Sequence, residues 1–256
     1  MLKRLKYLLL AIVMIFSFQP VLASNSMIDT TLLEKGIIRI NYQSRQDKPM
    51  KITISKDSEK YSYDFNSKDS YPLQFGNGEY VITLLEHKSG TTYKVIKKEK
   101  VNLQLKDSNV IYLQSIQTIN WNESMDAIKL AKDLTKHAKS TTEKITIIYD
   151  YVINKISYDA KKASTVSSDY ISSIDETLKN SKGICYDYSI LFASMLRSID
   201  IPTKLVTGYK NDVKAYHAWN QVYDAVTKEW SIIDTTYDSL KKSYKNFYTR
   251  NKNSSD

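Results

Sequence analysis

The spacing of apolar residues changes once along this chain, near Ser115, and that change constrains the fold more than any other feature. Before it, apolar residues alternate with polar ones in short runs at 36–42, 51–55, 61–65, 79–85, 91–105 and 110–113, rich in Ile, Val, Thr and Tyr. Alternation of this kind buries one face of a β-strand. After Ser115 the repeat lengthens to the roughly 3.6 residues of an amphipathic helix. One chain therefore has to accommodate a sheet-forming half followed by a half that mixes helices with strands.

In the first half, Asn66-Ser67-Lys68-Asp69, Gly76-Asn77-Gly78 and Ser89-Gly90 fall between the runs and supply turn chemistry. Short antiparallel strands joined at such intervals read as a small sandwich of the immunoglobulin type, expected over 24–115. In the second half, helices are expected over 123–137 and 141–156. Ser140 is the N-cap of the second, with Glu143 three residues on, and Ser173 and Glu176 repeat this capping-box signature before a short helix ending near Asn180. The fold class expected is α+β, with a second domain over 116–256 and an open linker around 114–122.

The first residues place Lys3, Arg4 and Lys6 ahead of an apolar run from Tyr7 to Phe18, followed by Val21-Leu22-Ala23. This is the composition of a secretory leader cleaved after residue 23. The run is shorter than the roughly 20 residues of a membrane-spanning helix. The expectation is a secreted chain, extracellular or loosely surface-associated, with no stable membrane insertion once the leader is removed. The formal net charge is +9, spread in pairs such as Lys97-Lys98 and Lys161-Lys162 without an Arg-rich helix, which argues for a solvated basic surface and against nucleic acid as a partner.

The chain has a single cysteine, Cys185, so it can form no internal disulfide. An exported protein that keeps one free thiol in an oxidising compartment raises the question of what the thiol does. Cys185 follows the turn Ser181-Lys182-Gly183-Ile184 and opens a helix expected to run to Asp200, before Pro202. Tyr188, Leu191, Phe192, Met195, Leu196 and Ile199 form its apolar stripe, with Cys185 one turn earlier on the same face. A thiol at a helix N-terminus lies where unpaired N–H groups favour thiolate, the usual activation of a nucleophilic cysteine.

Strands are then expected over 203–209, 217–223 and 230–234, the last two as a hairpin. If Tyr223 pairs with Lys228 around a four-residue loop, His217 falls opposite Asp234 on one face. A nucleophilic thiol needs an imidazole that takes and returns its proton, and the imidazole needs a carboxylate to orient it. Cys185, His217 and Asp234 are the candidate catalytic residues. Asp187 reads as a first-turn helix acid. The three histidines have no ligand spacing among themselves or with Cys185, so no metal and no cofactor is expected.

Gly183-x-Cys185, Ile201-Pro202, Gly208-Tyr209, His217-Ala218-Trp219 and Trp230-x-x-x-Asp234-x-Thr236 together resemble the core motifs of the transglutaminase-like superfamily. The resemblance covers roughly residues 140 to 240. It implies a papain-like core in which Cys185 is the nucleophile on a central helix, His217 the general base and acid, and Asp234 the orienting residue on an adjacent sheet. It also implies acyl transfer at amide bonds of a protein or peptide substrate, by crosslinking, deamidation or hydrolysis. Tyr158 occupies a place where some members carry an oxyanion-stabilising side chain, and Gln221 stands where many carry Glu. Trp219 and Trp230 are candidates for flanking an acceptor groove. Two other classes are distinguishable by experiment: a binding module for peptides or envelope components that keeps the fold without turnover, and a structural surface protein indifferent to loss of Cys185.

Overall fold

A computed structural model describes residues 26–43, 48–167, 169–211 and 213–241. The expected leader lies outside these residues. Among them, no helix is long and apolar enough to cross a membrane.

The alternating half forms two antiparallel sheets. One has the order β1-β2-β5, from Ile28–Asp29, Ile37–Ile40 and Tyr71–Pro72; the other has the order β4-β3-β6-β7, from Glu59–Asp64, Met50–Lys56, Gly78–Ser89 and Thr92–Leu103. Alternate residues of both sheets, Ile38 and Ile40 with Ile52, Ile54, Ile82 and Leu84, share one buried cluster. Tyr80, fully buried near the start of β6, donates its hydroxyl to the carbonyls of Leu73 and Gly76 and accepts from Phe75 N–H, which ties the turn before β6 to the strand. β1 and β5 are two residues each, too short to leave a periodic signal. The run at 110–113, read as a strand, is instead part of a 3-10 helix over Ser108–Leu113, whose N-cap Asp107 accepts from Asn109 N–H. A local side-chain cap outweighs the β-propensity of Val-Ile-Tyr here.

The second half is a mixed helix and antiparallel-sheet unit. Its helices are α1 (Asp126–Thr135), α2 (Thr141–Lys155), α3 (Ala160–Thr165), α4 (Ile174–Asn180), α5 (Cys185–Arg197) and α6 (Thr235–Lys241). A three-stranded sheet of order β10-β11-β12, from Thr203–Lys210, Val213–Asp224 and Glu229–Ile233, packs on α5. A short parallel pair, β8 (Ser157–Tyr158) with β9 (Lys182–Gly183), sets Tyr158 beside Gly183. Ser140 and Ser173 cap α2 and α4 by accepting from Glu143 and Glu176 N–H, as the capping signatures predict.

α5 ends at Arg197 rather than Asp200, and it is not striped: every residue from Asp187 to Arg197 is buried. The sheet covers one side, and α1, α2, α4 and α6 cover the others. The polar residues that suggested a solvent face lie inside, where the Ser189 main chain and the Arg197 guanidinium are bonded and the Ser194 hydroxyl has no partner among the described residues. Asn220 of β11 donates to the carbonyls of Ser189 and Lys204, joining helix to sheet, and Arg197 donates to the carbonyls of Thr203 and Gln114.

The segment 114–122, expected as an open linker, is packed. Ile116 and Ile119 are buried with Ile37 of β2 and Ala193 of α5, and Trp121 packs against the same group. Arg197 holds Gln114 from the other side. Three apolar side chains in six residues found burial at the junction of the two halves, which makes this stretch part of a shared core.

Candidate active site

Cys185 is the first residue of α5, half-buried, in a pocket of about 470 Å³ whose lining includes Tyr158, Tyr186, His217 and Ala218. The turn that delivers it is fixed from beneath by Asp187, a fully buried carboxylate. One oxygen of Asp187 accepts from Ile184 N–H at 2.9 Å and from Lys162 Nζ at 2.7 Å, and the other accepts from Tyr170 Oη–H at 2.7 Å. Asp187 is thus more than a first-turn acid, because it clamps the residue before Cys185 to α3 and to the segment preceding α4. Lys162 is drawn down by its partial burial, but the bonds to Asp187 and Tyr170 outweigh this and hold the ammonium above its ordinary range. Gly183 is required by close approach, since a Cβ there would lie 2.6 Å from Asp187 Cβ.

His217 lies on β11 and is 7% exposed. Its Nε2 is 2.9 Å from Asp234 Oδ2. The hairpin delivers the pair in a register displaced from the predicted one. Tyr223 pairs with Trp230 and Asp224 with Glu229, so the loop is Ala225–Lys228, one residue later than expected. Lys228 N–H bonds the Asp224 carbonyl with Lys228 at φ 59°, and Val226 N–H bonds the Asp224 carboxylate; the two bonds lock that loop. The displacement preserves parity, so His217 and Asp234 still project to one face. β12 ends at Ile233, and Asp234 turns the chain into α6: its Oδ1 accepts from Tyr237 N–H at 3.0 Å, an N-cap, while Oδ2 faces the imidazole.

Burial pulls the His217 imidazole toward neutrality, but its bonds to Asp234 and then to Cys185, with the charges of both, raise its pKa to about 9. Burial works likewise against the Asp234 carboxylate, and bonds from His217, Lys210 and the Tyr237 N–H prevail, lowering it below its usual range. With Nε2 engaged by Asp234, Nδ1 is the ring nitrogen that can exchange a proton with the thiol. Trp219 stacks on the imidazole, with centroids 6.2 Å apart and planes 21° apart. Trp230 is elsewhere: it packs on Tyr112 and Tyr223 at the junction of the halves and does not flank the Cys185 pocket.

Of two further neighbours of the site, Lys210 had no local signature and Tyr158 stood out only through the family resemblance. Lys210, at the bulged end of β10, places Nζ 2.7 Å from Asp234 Oδ2, the same oxygen that His217 uses. Tyr158 lines the Cys185 pocket; burial, followed by the proximity of Cys185, raises its hydroxyl pKa above the ordinary value. The β8–β9 pairing brings Tyr158 there from 27 residues upstream.

The chain is similar to known proteins over part of its length. The family model described as the transglutaminase-like superfamily matches residues 128–235. Kyphoscoliosis peptidase of Mus musculus is 27% identical over 121 residues, which are 43% of this chain and 18% of that protein. The chain therefore corresponds to a small part of that relative's length. Among solved structures, a candidate cysteine protease from Cytophaga hutchinsonii aligns with a TM-score of 0.44 at 18% identity, covering 78% of this chain and 70% of the other. The periplasmic domain of TgpA from Pseudomonas aeruginosa aligns with a TM-score of 0.43 at 13% identity, covering 87% and 97%.

Proposed function

Residues 128–235 belong to the transglutaminase-like superfamily, and from that premise we propose that this chain is a cysteine-dependent acyl-transfer enzyme acting on amide bonds of proteins or peptides. The observation that carries the reading is the pairing of buried His217 with Asp234 at 2.9 Å in front of a thiol that opens a buried helix. Cys185 Sγ attacks the amide carbon while its proton rests on His217. The tetrahedral oxyanion is held by the Cys185 N–H at the start of α5, with Tyr158 Oη–H as second donor. Collapse breaks the C–N bond, His217 returns the proton to the departing amine or ammonia, and a thioester remains on Cys185. Water or an amine then attacks the thioester, passes its proton to His217, and releases the acyl product with the thiol restored. Asp234 stays ionised and supports the imidazolium throughout.

Incubating the full chain with glutamine-containing peptides, with and without a primary amine, and reading product masses tests this. Amine incorporation marks transfer, loss of ammonia to water marks deamidation, and chain scission marks hydrolysis. No product in any of the three, from protein shown to be folded, contradicts the reading.

The immunoglobulin-type reading of the first half is part of the proposal. It is supported by the pairing of the second strand with the fifth and the third with the sixth, and by the Tyr80 corner at the start of β6. The division at 115/116 and export after residue 23 stand on the change of apolar period and on the leader-like composition. The intact mass of material recovered from culture medium tests the second of these.

A further inference from the structure

A groove of about 590 Å³ runs between the two halves and meets the Cys185 pocket, the two sharing Tyr170, Tyr186 and Thr207 as lining. Two sheet edges wall it. β4 is the outer strand of the four-stranded sheet and β10 the outer strand of the catalytic sheet. Four consecutive residues of each, 61–64 and 204–207, face the groove. Consecutive lining of this kind means that the backbone edge, rather than one side-chain face, borders the space.

The ladder hydrogen bonds identify the free groups. Phe65 N–H bonds Met50 O, so in the register of β4 with β3 the bonded positions are 61 and 63, and Ser62 directs its N–H and C=O outward. Tyr223 N–H bonds Pro202 O, so on β10 the bonded positions are 204 and 206, and Leu205 and Thr207 direct theirs outward. The groups that flank them are already used: Asp64 O accepts from Gln117 Nε2, and Thr203 O accepts from Arg197. Among the described residues the main-chain groups of Ser62, Leu205 and Thr207 have no partner across the edge.

We propose that this groove binds an extended polypeptide, which adds as a strand to the outer edge of β10 and leads a side chain past Thr207 to Cys185. Extended polypeptide alone offers N–H and C=O at the two-residue interval of Leu205 and Thr207. Tyr61, stacked on Phe75 at 5.2 Å, and Tyr63 supply aromatic surface on the facing wall. The Lys204 ammonium, another lining group, stands over the rings of Trp230 and Tyr112.

The proposal rests on Cys185 as nucleophile, and two measurements separate the claims. In the first, the full chain carrying Cys185→Ala is saturated with β-casein, an unfolded polypeptide, and amide exchange is followed at 203–207, with chitohexaose as the carbohydrate comparison. Slowed exchange at Leu205 and Thr207 with β-casein alone is expected. Unchanged exchange there, or slowing by chitohexaose instead, overturns the groove assignment whether or not the chain is an enzyme. In the second, Tyr61→Ala and Ser62→Pro, each on an exposed edge and remote from Cys185, are compared with the unmodified chain. KM for β-casein should rise about five- to tenfold, as expected for loss of one contact of about 1 kcal/mol. Turnover of a blocked Gln-Gly dipeptide, too short to fill the groove, should be unchanged. An equal KM for β-casein in all three proteins overturns the proposal, and loss of dipeptide turnover in the variants assigns these residues to folding instead.

Discussion

Asp234→Asn separates what Asp234 does for the fold from what it does for the imidazole. Asparagine caps a helix as well as aspartate does, so the bond to Tyr237 N–H and the start of α6 should survive. The charge next to His217 is lost, and an opposite charge at this range is worth about 1–3 pKa units. From about 9, the imidazole should therefore titrate nearer its ordinary value. Each unit of that fall represents about 1.4 kcal/mol of lost support for the imidazolium. Lys210 strengthens the effect. Its ammonium bonds the same carboxylate oxygen as His217, and in the variant it faces the ring with no anion between them. The rate of acyl transfer should fall about a thousandfold or more, as when the carboxylate of a comparable triad is neutralised. With only three histidines in the chain, ring resonances followed by NMR against pH give the His217 titration directly, His217→Gln providing the assignment. An unchanged His217 titration in folded Asp234→Asn, or full activity, would show that Asp234 is a cap and nothing more.

Four further outcomes follow from the same geometry. His217 has a pKa near 9 folded and about 6.5 unfolded, so its contribution to stability, on the order of 3 kcal/mol, is fully present below pH 6.5 and is lost as pH rises through 9; thermal melts between pH 6 and 10 should show a fall that His217→Ala lacks. Asp234, with its folded pKa lowered, acts in the opposite sense: its contribution is present above its ordinary pKa and disappears as pH falls through the folded value, so acid unfolding should begin at higher pH in Asp234→Asn. Gly183→Ala pushes a methyl into Asp187 and should cost about 1–3 kcal/mol in denaturant unfolding, with a larger loss of activity than of stability because Ile184 and Cys185 move with the clamp. Arg197→Met frees the carbonyls of Gln114 and Thr203, and limited proteolysis should then nick 108–122, a stretch expected to resist cleavage in the unmodified chain.

What could be read from the sequence was whatever repeats locally. Alternation located the long strands, Ser140 and Ser173 announced their helices, and the hairpin signal brought His217 and Asp234 to one face although its loop falls one residue later. The misreadings share a physical cause. α5 looks amphipathic because Ser189, Ser194 and Arg197 are polar, yet each is buried in a helix enclosed on all sides, and burial of such residues depends on partners elsewhere in the chain. Lys162 and Tyr170 reach Asp187 across 25 and 17 positions, and Lys210 reaches Asp234 across 24. No spacing rule encodes contacts made by folding distant elements together. Ile116, Ile119 and Trp121 looked like linker residues because no period runs through them, and their burial depends on Ile37 and Ala193. α6 was missed although Asp234 is a legitimate N-cap, because the same residue also reads as the last position of a strand and as the orienting carboxylate.

The central claim is that Cys185 carries the acyl group, and acid quenching during turnover tests it most directly. The full chain is mixed with a glutamine-containing peptide, stopped within the first turnovers, digested at low pH to preserve thioesters, and mapped by mass spectrometry. The expected result is a peptide adduct, less one ammonia or amine, on the fragment bearing Cys185, accumulating in the unmodified chain and strongly reduced in His217→Ala. Product formation without an adduct on Cys185, or an adduct on another residue, would contradict the account.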